Sequence, residues 1–464
     1  MIRRTMLLLC LAVAADRPTG PPAADSVDRP AVTRLLRRLG SGSMEVRDAA
    51  ERELIGMGPA ILPLLAAADR SALADHPTPA TEATVRRHGI QRRLEDRAAA
   101  EAVEPAVVSL VMEEARPADV LAAVFEQSGC RIAIDPAATR PADEDRGDPP
   151  VPGPPQKPAQ ISVDFARATF WEAIDDVLAR AGLGIEFSEE AAGLRIVADT
   201  RQPPSEAPHP YGPAVAAGPL RVAVARIEQT GRPGTAGVRV VLRVAWEPRL
   251  EPLLVRLPMQ SVVAEGPAGE AMAPAQRAAV VEAKAVGRRQ WLDLPLMLAQ
   301  PTPPLESLGL LRGTVLLWLA GREHGFEFAG LEAGAEGVAG LPSLRMARAV
   351  VTLRRIAVRG DRLLVTAGVT YDEPTEALAS HQTWLTKKPL ALVAPDGGTI
   401  APIEQTVESR SEQGLTTTAV FRLPGDGRRP TTLQAMRVRW ILPIAIHAVP
   451  VDFAVRGVSL PPPR

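Results

Sequence analysis

The spacing of apolar residues divides the chain into a helical N-terminal part and a strand-rich remainder. Apolar residues recur every three or four positions over 32–39 and again over 46–57, which is typical of amphipathic helices. Beyond residue 220 apolar and polar residues alternate instead, as in 238–244, and alternation is typical of half-buried strands. The pattern therefore predicts a multidomain α+β protein: helices over 31–100, then a smaller α+β module, then two antiparallel β-sandwich-like domains.

The second helical stretch has the form of a helix pair. In the segment 45–68, EVRDAAERELIGMGPAILPLLAAA, Ser43 is placed to cap the first helix, and Gly58 and Pro59 separate it from the second. This segment resembles a single HEAT-type helical pair. A HEAT solenoid needs about three or more stacked units, and we find one, followed by an Arg-rich helix over 81–100. The resemblance therefore implies a small helical cap.

The module over 106–198 is an internal duplication, in which two stretches align without a gap at an offset of 53. Each half predicts a strand, a helix and a strand. Pro117 stands where one helix begins, and Thr169 with Glu172 forms a capping box for the other. The paired positions include Ser109 with Ser162, Leu110 with Val163, Met112 with Phe165, Leu121 with Ile174, and Gly129 with Gly182.

The two halves also carry a family resemblance. VSLVMEEARPADVLAAVFEQSGCRIAID and ISVDFARATFWEAIDDVLARAGLGIEFSEEAAGLRIVAD together resemble the short N-terminal (STN) domain that precedes bacterial secretins and TonB-type receptors. The resemblance implies that 104–200 is a periplasmic docking and assembly module without chemistry. Two departures limit it: a Pro-rich acidic insert over 136–159 separates the halves, and no membrane-barrel pattern follows. The channel-forming role of that family is therefore not implied.

The strand-rich part contains a second duplication. AWEP, which ends at Pro248, matches TYDEP, which ends at Pro374, and Trp318 matches Trp440. The offsets drift between 122 and 128, as they do when loops change length in duplicated domains. We therefore predict one sandwich over 220–329, a joint over 330–347, and a second sandwich over 348–460. A Pro-rich linker over 202–219 is expected to precede them.

The first residues carry the features of a secretory leader. Arg3 and Arg4 precede an apolar run that ends in small residues at Ala14, which predicts a signal peptide over 1–15 and a flexible segment over 16–30. A lipid anchor at Cys10 is disfavoured because Leu9, not a small residue, precedes it. No later segment is apolar for long enough to span a membrane. We therefore expect a periplasmic or extracellular protein with no transmembrane segment in the mature chain.

The charge balance restricts the partners. The 53 Lys and Arg residues nearly equal the 54 Asp and Glu residues, which gives a net charge of −1. Nucleic-acid affinity depends on a surplus of basic residues facing the phosphates. We therefore predict an envelope protein as the partner and exclude nucleic acid.

Residues suited to catalysis are present but dispersed. A nucleophilic site needs Ser or Cys beside a base, yet no G-x-S-x-G motif occurs, and His447 is expected to be a half-buried sheet residue. The six histidines stand at 76, 88, 209, 324, 381 and 447. Adjacent acids, expected to be solvated, are Asp175–Asp176, Glu189–Glu190 and Asp372–Glu373. We therefore predict no catalytic residues.

Cofactor and metal sites are predicted to be absent as well. The acidic cluster at 143–148 lacks the glycine and the closing Glu of a calcium-binding loop. Cys130 is the one cysteine left after removal of the leader, and its apolar surroundings predict a buried, inert thiol. Trp318 and Trp440 lie among apolar strand residues and are interpreted as core anchors.

Two functions remain consistent with the sequence. The first is an exported noncatalytic interaction or scaffolding protein of the bacterial cell envelope, which docks through the STN-like module and the β domains. The alternative is an envelope hydrolase or carbohydrate-active protein whose site is built from sandwich loops. An enzyme predicts a pocket that holds two or more acids or histidines within hydrogen-bond reach. A binding protein predicts an unpaired sheet edge or a broad apolar patch.

Overall fold

The chain is a strand-rich, multidomain α+β protein. The residues that the structure describes form seven α-helices and 23 strands in six sheets. The computed structural model describes residues 28–65, 67–68, 82–139, 160–188, 193–198, 214–230, 237–285, 289–299, 305–332, 342–372, 376–378, 384–423 and 430–460. The expected signal peptide, most of the Pro-rich insert and the first part of the Pro-rich linker lie outside these residues.

Three helices form the N-terminal unit: α1 (Arg29–Arg38), α2 (Met44–Gly56) and α3 (Glu82–Ala102). Asp28 caps α1 by accepting the backbone N–H of Ala31, so the helix begins inside the segment expected to be flexible. Ser43 caps α2 as predicted, by accepting the N–H of Val46 at 3.4 Å. Apolar side chains from all three helices form one core.

The duplicated module repeats its own geometry. Its elements are β1 (Val107–Ala115), α4 (Pro117–Ser128), β2 (Ala133–Ile134), the short α5 (Pro136–Thr139), β3 (Ile161–Thr169), α6 (Phe170–Ala181), β4 (Leu183–Ser188) and β5 (Gly193–Ala198). Helices α4 and α6 both begin and end 53 residues apart. Gly129 and Gly182 end them in the left-handed region, at φ of 67° and 61°, where a side chain would be strained. The sequence offset is therefore a structural repeat.

The module contains a two-stranded sheet, β1 with β3, and a three-stranded sheet in the order β2-β5-β4. Val111 of β1 pairs with Asp164 of β3, and Asp164 is also the residue that the offset of 53 makes equivalent to Val111. The pairing of the two strands is therefore symmetric about this position. Glu114 and Arg167 occupy matching bulges at φ of 47° and 61°. The backbone N–H of Glu114 donates to Ser162 at 3.0 Å, and that of Arg167 donates to Ser109 at 3.3 Å. These reciprocal bonds explain why both halves carry a serine at the same position.

The first sandwich encloses one core between two sheets. Its strands are β6 (Val215–Ala217), β7 (Leu220–Thr230), β8 (Gly237–Trp246), β9 (Pro252–Pro258), β10 (Val263–Glu265), β11 (Val280–Lys284), β12 (Trp291–Ala299) and β13 (Ser307–Ala320). One sheet has the order β12-β8-β7-β6, and the other has the order β10-β13-β9-β11. The strand β6 lies at the end of the predicted linker, because 214–217 are apolar and free of Pro.

The second sandwich repeats this plan around its own core. Its strands are β14 (Glu323–Phe328), β15 (Ser343–Met346), β16 (Ala349–Arg359), β17 (Arg362–Tyr371), β18 (Leu390–Val393), β19 (Thr399–Ile400), β20 (Glu404–Ser411), β21 (Gly414–Arg422) and β22 (Arg437–Pro443), with α7 (Pro430–Ala435) before the last. The sheets have the orders β15-β16-β17-β21-β20 and β14-β22-β18-β19. Strand β15 lies within the stretch predicted to be a joint.

The two sandwiches exchange their last strands, which corrects the expected boundaries at 329 and 460. The final strand, β23 (Ile446–Ser459), pairs along β13 of the first sandwich from Ser459 to Ile446. In return β14 pairs with β22 of the second sandwich. The physical reason is that β13 and β22 each offer a free edge next to an apolar core, and the short connections that follow them lead across to the other copy.

Those connections form a crossover, Gly321–Arg322 against Ile444–Ala445. The N–H of Gly321 donates to the carbonyl of Ala445 at 2.9 Å, and the N–H of Ile444 donates to that of Arg322 at 3.0 Å. A Cβ at Gly321 would lie 3.1 Å from the Ala445 oxygen, which is tighter than most Cβ contacts, so this close approach favours glycine. Both exchanged strands therefore pass from one sandwich to the other at this hydrogen-bonded crossover.

The duplicated module is anchored on the first sandwich. Trp171 of α6 is fully buried and its indole N–H donates to the Pro219 carbonyl at 3.0 Å. Arg221 binds the carboxylate of Asp175 at 2.8 Å, and the Arg221 side chain is only 8% exposed. Because these contacts join buried groups, the module and the sandwich pack as one body.

Candidate functional site

Helix α3 lies across the crossover and joins three units. Ile90 and Leu94 belong to the helical core, whereas Ala99, one turn further on, belongs to the core of the first sandwich. On the same side, Asp96 of α3 contacts Arg348 of the second sandwich at 2.6 Å. The helix therefore fixes the positions of the groups that face the crossover.

A cavity of about 530 Å³ lies between α3 and the crossover. We call it the crossover cavity. Its volume falls within the range of small-molecule sites. Its lining residues are Arg92, Asp96, Ala99, Ala100, Trp318, Arg348, Tyr371, Ile446, His447, Ala448, Val449 and Pro450. A smaller cavity of about 230 Å³ shares Arg92 and Arg348 with it.

Asp96, Arg348 and His447 form a contact cluster on the wall of the crossover cavity. One carboxylate oxygen of Asp96 lies 2.6 Å from the Arg348 guanidinium and 3.2 Å from Nδ1 of His447. His447 is only 6% exposed, so it is more deeply buried than predicted. Burial, aided by the positive charge of Arg348, lowers the pKa of His447 below its ordinary value of 6.5. The imidazole is therefore neutral at neutral pH.

The orientation of His447 does not suit general-base catalysis. Its Nδ1 faces Asp96, and its Nε2 faces the crossover backbone, where a Cβ at Gly321 would lie 3.3 Å from it. A general base needs a nitrogen within hydrogen-bond reach of the substrate. The lining of the cavity also contains no Ser, Thr or Cys. The acid–histidine contact expected of an enzyme is therefore present. No Ser, Thr or Cys of the lining stands beside it as a nucleophile.

Two further polar residues of α3 are buried behind the cluster. Gln91 and Glu95 are 0% and 5% exposed, and the Gln91 side-chain amide donates to the Glu95 carboxyl at 3.3 Å. Burial raises the pKa of Glu95 from 4.5 to about 7, against the opposing pull of Gln91, Arg348 and Arg322. The carboxyl group is therefore held largely in its neutral form in mildly acidic solution.

Glu95→Gln is expected to stabilise the protein in alkaline solution. The folded protein holds the Glu95 proton more tightly than the unfolded chain does, so this stabilisation is full below about pH 4.5 and is lost as the pH rises through about 7. The amide keeps the neutral form at every pH. We expect the substitution to raise the free energy of unfolding by about 2 kcal/mol near pH 8 and to change it little near pH 4. Urea denaturation at both pH values measures this difference.

The matched control is Glu101→Gln, on the exposed side of the same helix, where the carboxylate pairs with Arg97 in water. It should show no such difference between the two pH values. An equal effect of the two substitutions would mean that Glu95 is not held neutral by burial.

Trp318 and Trp440, at equivalent positions of the two sandwiches, differ in whether the indole N–H has a hydrogen-bond acceptor. Trp440 is fully buried and its indole N–H donates to the Lys388 carbonyl at 2.8 Å. Trp318 is 9% exposed, lines the crossover cavity, and its indole N–H has no acceptor among the described residues. Both are core anchors, as predicted, but Trp318 also contributes an unsatisfied donor.

The other predicted candidates remain dispersed. Asp176 pairs with Arg180, and Asp372 pairs with Arg345 on the surface. Cys130 is buried, and burial raises the pKa of its thiol to about 11, which fits the predicted inert thiol. Among the described residues no group of three or more His, Cys, Asp or Glu is placed to hold a metal ion. The candidates His76, His209, His381, Glu373, Glu189–Glu190 and the acidic cluster at 143–148 lie outside the described residues.

The β1–β3 sheet, away from the crossover cavity, has the sheet edge that is expected of a binding protein. In the described part of the chain, β1 and β3 pair only with each other, so each has an edge without a strand partner. On β1, the backbone N–H of Ser109 donates to the side chain of Gln127 at 3.0 Å, and the edge is open beyond that point. Val111, at the centre of β1, is 69% exposed, and Val107 is 39% exposed. An exposed edge beside exposed apolar side chains is a place where another strand can pair.

Comparisons with known proteins add little to this geometry. No family model matches the chain, and no curated protein matches it. Among solved structures, the crystal structure of a conserved domain protein from Bacillus anthracis covers 53% of this chain and 90% of its own, at 6% sequence identity and a TM-score of 0.15. A score this low carries no argument about fold or function. In the part of the chain that the structure describes, no helix is long and apolar enough to cross a membrane.

The residues that surround His447 have little signal in the sequence. Asp96, Glu95 and Gln91 lie on a helix whose most evident sequence feature is its arginine content. One signal was available: Gln91 and Glu95 fall four residues apart beside Ile90 and Leu94, on the face that must be buried. Polar residues on a buried face indicate a partner for each. Gln91 and Glu95 are partners of each other. The partner of Asp96, Arg348, is 252 residues away and has no local signature.

Proposed function

We propose that this chain is an exported, noncatalytic docking protein of the bacterial cell envelope, and that it binds an extended segment of another envelope protein along the edge of the β1–β3 sheet. The single observation that carries the proposal is the unpaired β1 edge beside Val111, an exposed apolar side chain at the middle of the strand. Export rests on the leader-like residues 1–15, and the docking role agrees with the STN resemblance.

The size of the sheet favours the addition of a strand. In a two-stranded sheet the outer backbone donors and acceptors of each strand have no strand partner, and isolated two-stranded sheets are only marginally stable. A third strand would pair those groups and cover Val111. Glu113 and Glu114 are exposed near the end of β1, so the segment that fits is apolar at its centre and basic at one end.

The anchoring of the module supports the same role. Trp171 and Asp175 attach α6 to the first sandwich, and Phe187 packs edge-on against Trp291 at 5.5 Å between ring centroids. A docking edge held on a large rigid body loses little conformational freedom when a partner binds.

Site-specific photocross-linking tests the proposal. A photoreactive side chain is placed in turn at Ser109, Val111 and Glu113 of the full-length protein, which is then exposed to the envelope proteins of its source cell. We expect all three positions to label one segment of one partner, at residues two apart in order, because side chains on one face of paired strands follow a period of two. Mass spectrometry of the cross-linked peptides reads this order.

The matched control position is Met297, which is 38% exposed on β12, an edge strand of the first sandwich. It should give no adduct with that segment. Equal labelling from Met297, labelling without strand order, or adducts only with a second copy of this chain would each contradict the proposal.

A second function, hydrolysis, is favoured by one observation, the contact between Asp96 and His447 beside the crossover cavity. It requires His447 to turn so that one nitrogen reaches a bound substrate. Turnover of ester or glycoside substrates that disappears in His447→Gln would support this alternative. It is the weaker of the two, because Nδ1 of His447 already contacts Asp96 and no Ser, Thr or Cys lines the cavity.

A further inference from the structure

A row of three arginines crosses the outer face of the second sandwich. Arg359, the last residue of β16, lies directly opposite Arg362 of β17, and Arg362 lies directly opposite Arg422, the last residue of β21. All three are exposed, whereas their neighbours Leu363 and Phe421 belong to the second core. Residues directly opposite one another share a face of the sheet, about 5 Å apart. We call these three residues the arginine row.

The charges of the arginine row are not neutralised within the sheet. Arg359 and Arg362 have no hydrogen-bond or ion-pair partner in the part of the chain that the structure describes. Asp361, in the turn between β16 and β17, lies 3.9 Å from Nε of Arg422, which is beyond hydrogen-bond distance. Like charges directly opposite on neighbouring strands destabilise a sheet. The row therefore costs free energy in the unbound protein.

The first sandwich shows that the fold does not need these charges. Its strands β7, β8 and β12 pair in the same order as β16, β17 and β21. At the corresponding end of these strands the residues opposite one another are Thr230, Gly237 and Ala299. Because the same three-strand arrangement forms there without charge, the arginine row is specific to the second copy and indicates an anionic partner of that copy.

The residues beside the arginine row form a flat apolar strip. Two positions further along each strand, Ala357, Leu364 and Val420 again lie opposite one another, and all three are half-buried. Exposed Glu404 of β20 lies opposite Val420 and ends this strip. The sheet face therefore places a line of cations along one side of a low apolar surface.

This combination fits an acidic polysaccharide better than other polyanions. A chain of uronic-acid units carries carboxylates along its edges, which guanidinium groups bind through paired N–H donors, and C–H groups on its ring faces, which pack on aliphatic side chains. An extended acidic peptide repeats its side chains on one face at about 6.6 Å, which does not match the strand spacing. A phospholipid surface needs apolar side chains that enter it, whereas those beside the row are half-buried.

We propose that the outer face of the second sandwich binds an acidic polysaccharide, whose carboxylates follow the arginine row across the strands and whose rings lie on Ala357, Leu364 and Val420. This surface is separate from the β1–β3 sheet and does not depend on docking there. It would give the chain a contact with a polymer in addition to a contact with a protein.

Calorimetric titration of the full-length protein with galacturonates tests the need for joined charges. Trigalacturonate can contact neighbouring arginines at once, whereas galacturonate contacts one. We expect the trimer to bind about tenfold or more tightly than the monomer, because joining the charges gives the later contacts a high effective concentration. Maltotriose, an uncharged trimer, is the matched ligand control and should show no binding.

Substitutions locate the site. Arg362→Gln, at the centre of the row, should weaken trigalacturonate binding about tenfold, since it removes a charge-assisted hydrogen-bond donor. Its unfolding temperature should not fall, because the substitution also removes two like-charge contacts. The matched control is Arg312→Gln, at an exposed residue of β13 that lies opposite Val263 and Ala454. It should leave the affinity unchanged.

Polyglutamate and vesicles of phosphatidylglycerol distinguish the other polyanions. At equal concentration of charge, both should bind the protein more weakly than polygalacturonate does. Absence of binding to trigalacturonate, equal affinity for monomer and trimer, tighter binding to polyglutamate or to the vesicles, or equal losses in Arg362→Gln and Arg312→Gln would overturn the proposal.

Discussion

Phe453→Ala, in the last strand of the chain, is expected to destabilise the first sandwich rather than the second. Phe453 is 4% exposed in β23, and its ring packs over Gly313, where a Cβ would lie 3.1 Å from it. The ring belongs to the first core. Removing it leaves a cavity that lowers the free energy of unfolding by about 3–5 kcal/mol. Hydrogen exchange followed by mass spectrometry should show faster exchange in β7, β8 and β13, with β16 and β17 unchanged.

The reciprocal substitution is Phe326→Ala in β14. Phe326 is 1% exposed, pairs with Trp440 of β22 and belongs to the second core. It should give the opposite pattern, with faster exchange in β16, β17 and β22. A division of the chain at 329 predicts the reverse result for both substitutions. That reversed outcome would refute the strand exchange.

The second large effect is expected at Glu247, which ties the N-terminal units to the first sandwich. Its carboxylate is 0% exposed, accepts the backbone N–H of Ala106 at 2.9 Å and pairs with Arg249. Arg249 in turn donates to the carbonyls of Ala102 and Glu104. Burial raises the pKa of Glu247, but these partners surround the group. Glu247→Ala should therefore lower the free energy of unfolding by about 3 kcal/mol, measured by urea denaturation.

Glu251→Ala is the control for this substitution, because Glu251 is exposed four residues further along the same loop. Its effect should stay within about 0.5 kcal/mol. Similar small losses from both substitutions would show that the Glu247 contacts do not hold the junction together.

The feature expected of an enzyme and the feature expected of a binding protein both occur in this chain, in different places. An acid and a histidine touch beside the crossover cavity, and an unpaired strand edge lies in the duplicated module. The nitrogens of His447 face Asp96 and the crossover backbone, whereas Val111 is open to solvent. We therefore propose binding in preference to hydrolysis.

Local features of the fold could be predicted because their causes are local. The capping box of Thr169 with Glu172 and the left-handed Gly129 and Gly182 each depend on residues within one helical turn. The offset of 53 likewise survives as matching helix bounds. The bulges at Glu114 and Arg167 also correspond to a sequence feature. Ser162 and Ser109, which accept their backbone N–H groups, stand at equivalent positions of the two repeats.

The sequence alone determined the order of the units, the two duplications and the strand periods, because apolar spacing and chain-stiffening residues act over a few positions. Tertiary structure alone decided which copy each exchanged strand joins and which groups meet at the crossover. The strands β14 and β23 are apolar on one face in either partnership, so their pattern fits both cores equally. The contact of His447 with Asp96 spans 351 residues, and only the packing of α3 onto the exchanged strand brings them together.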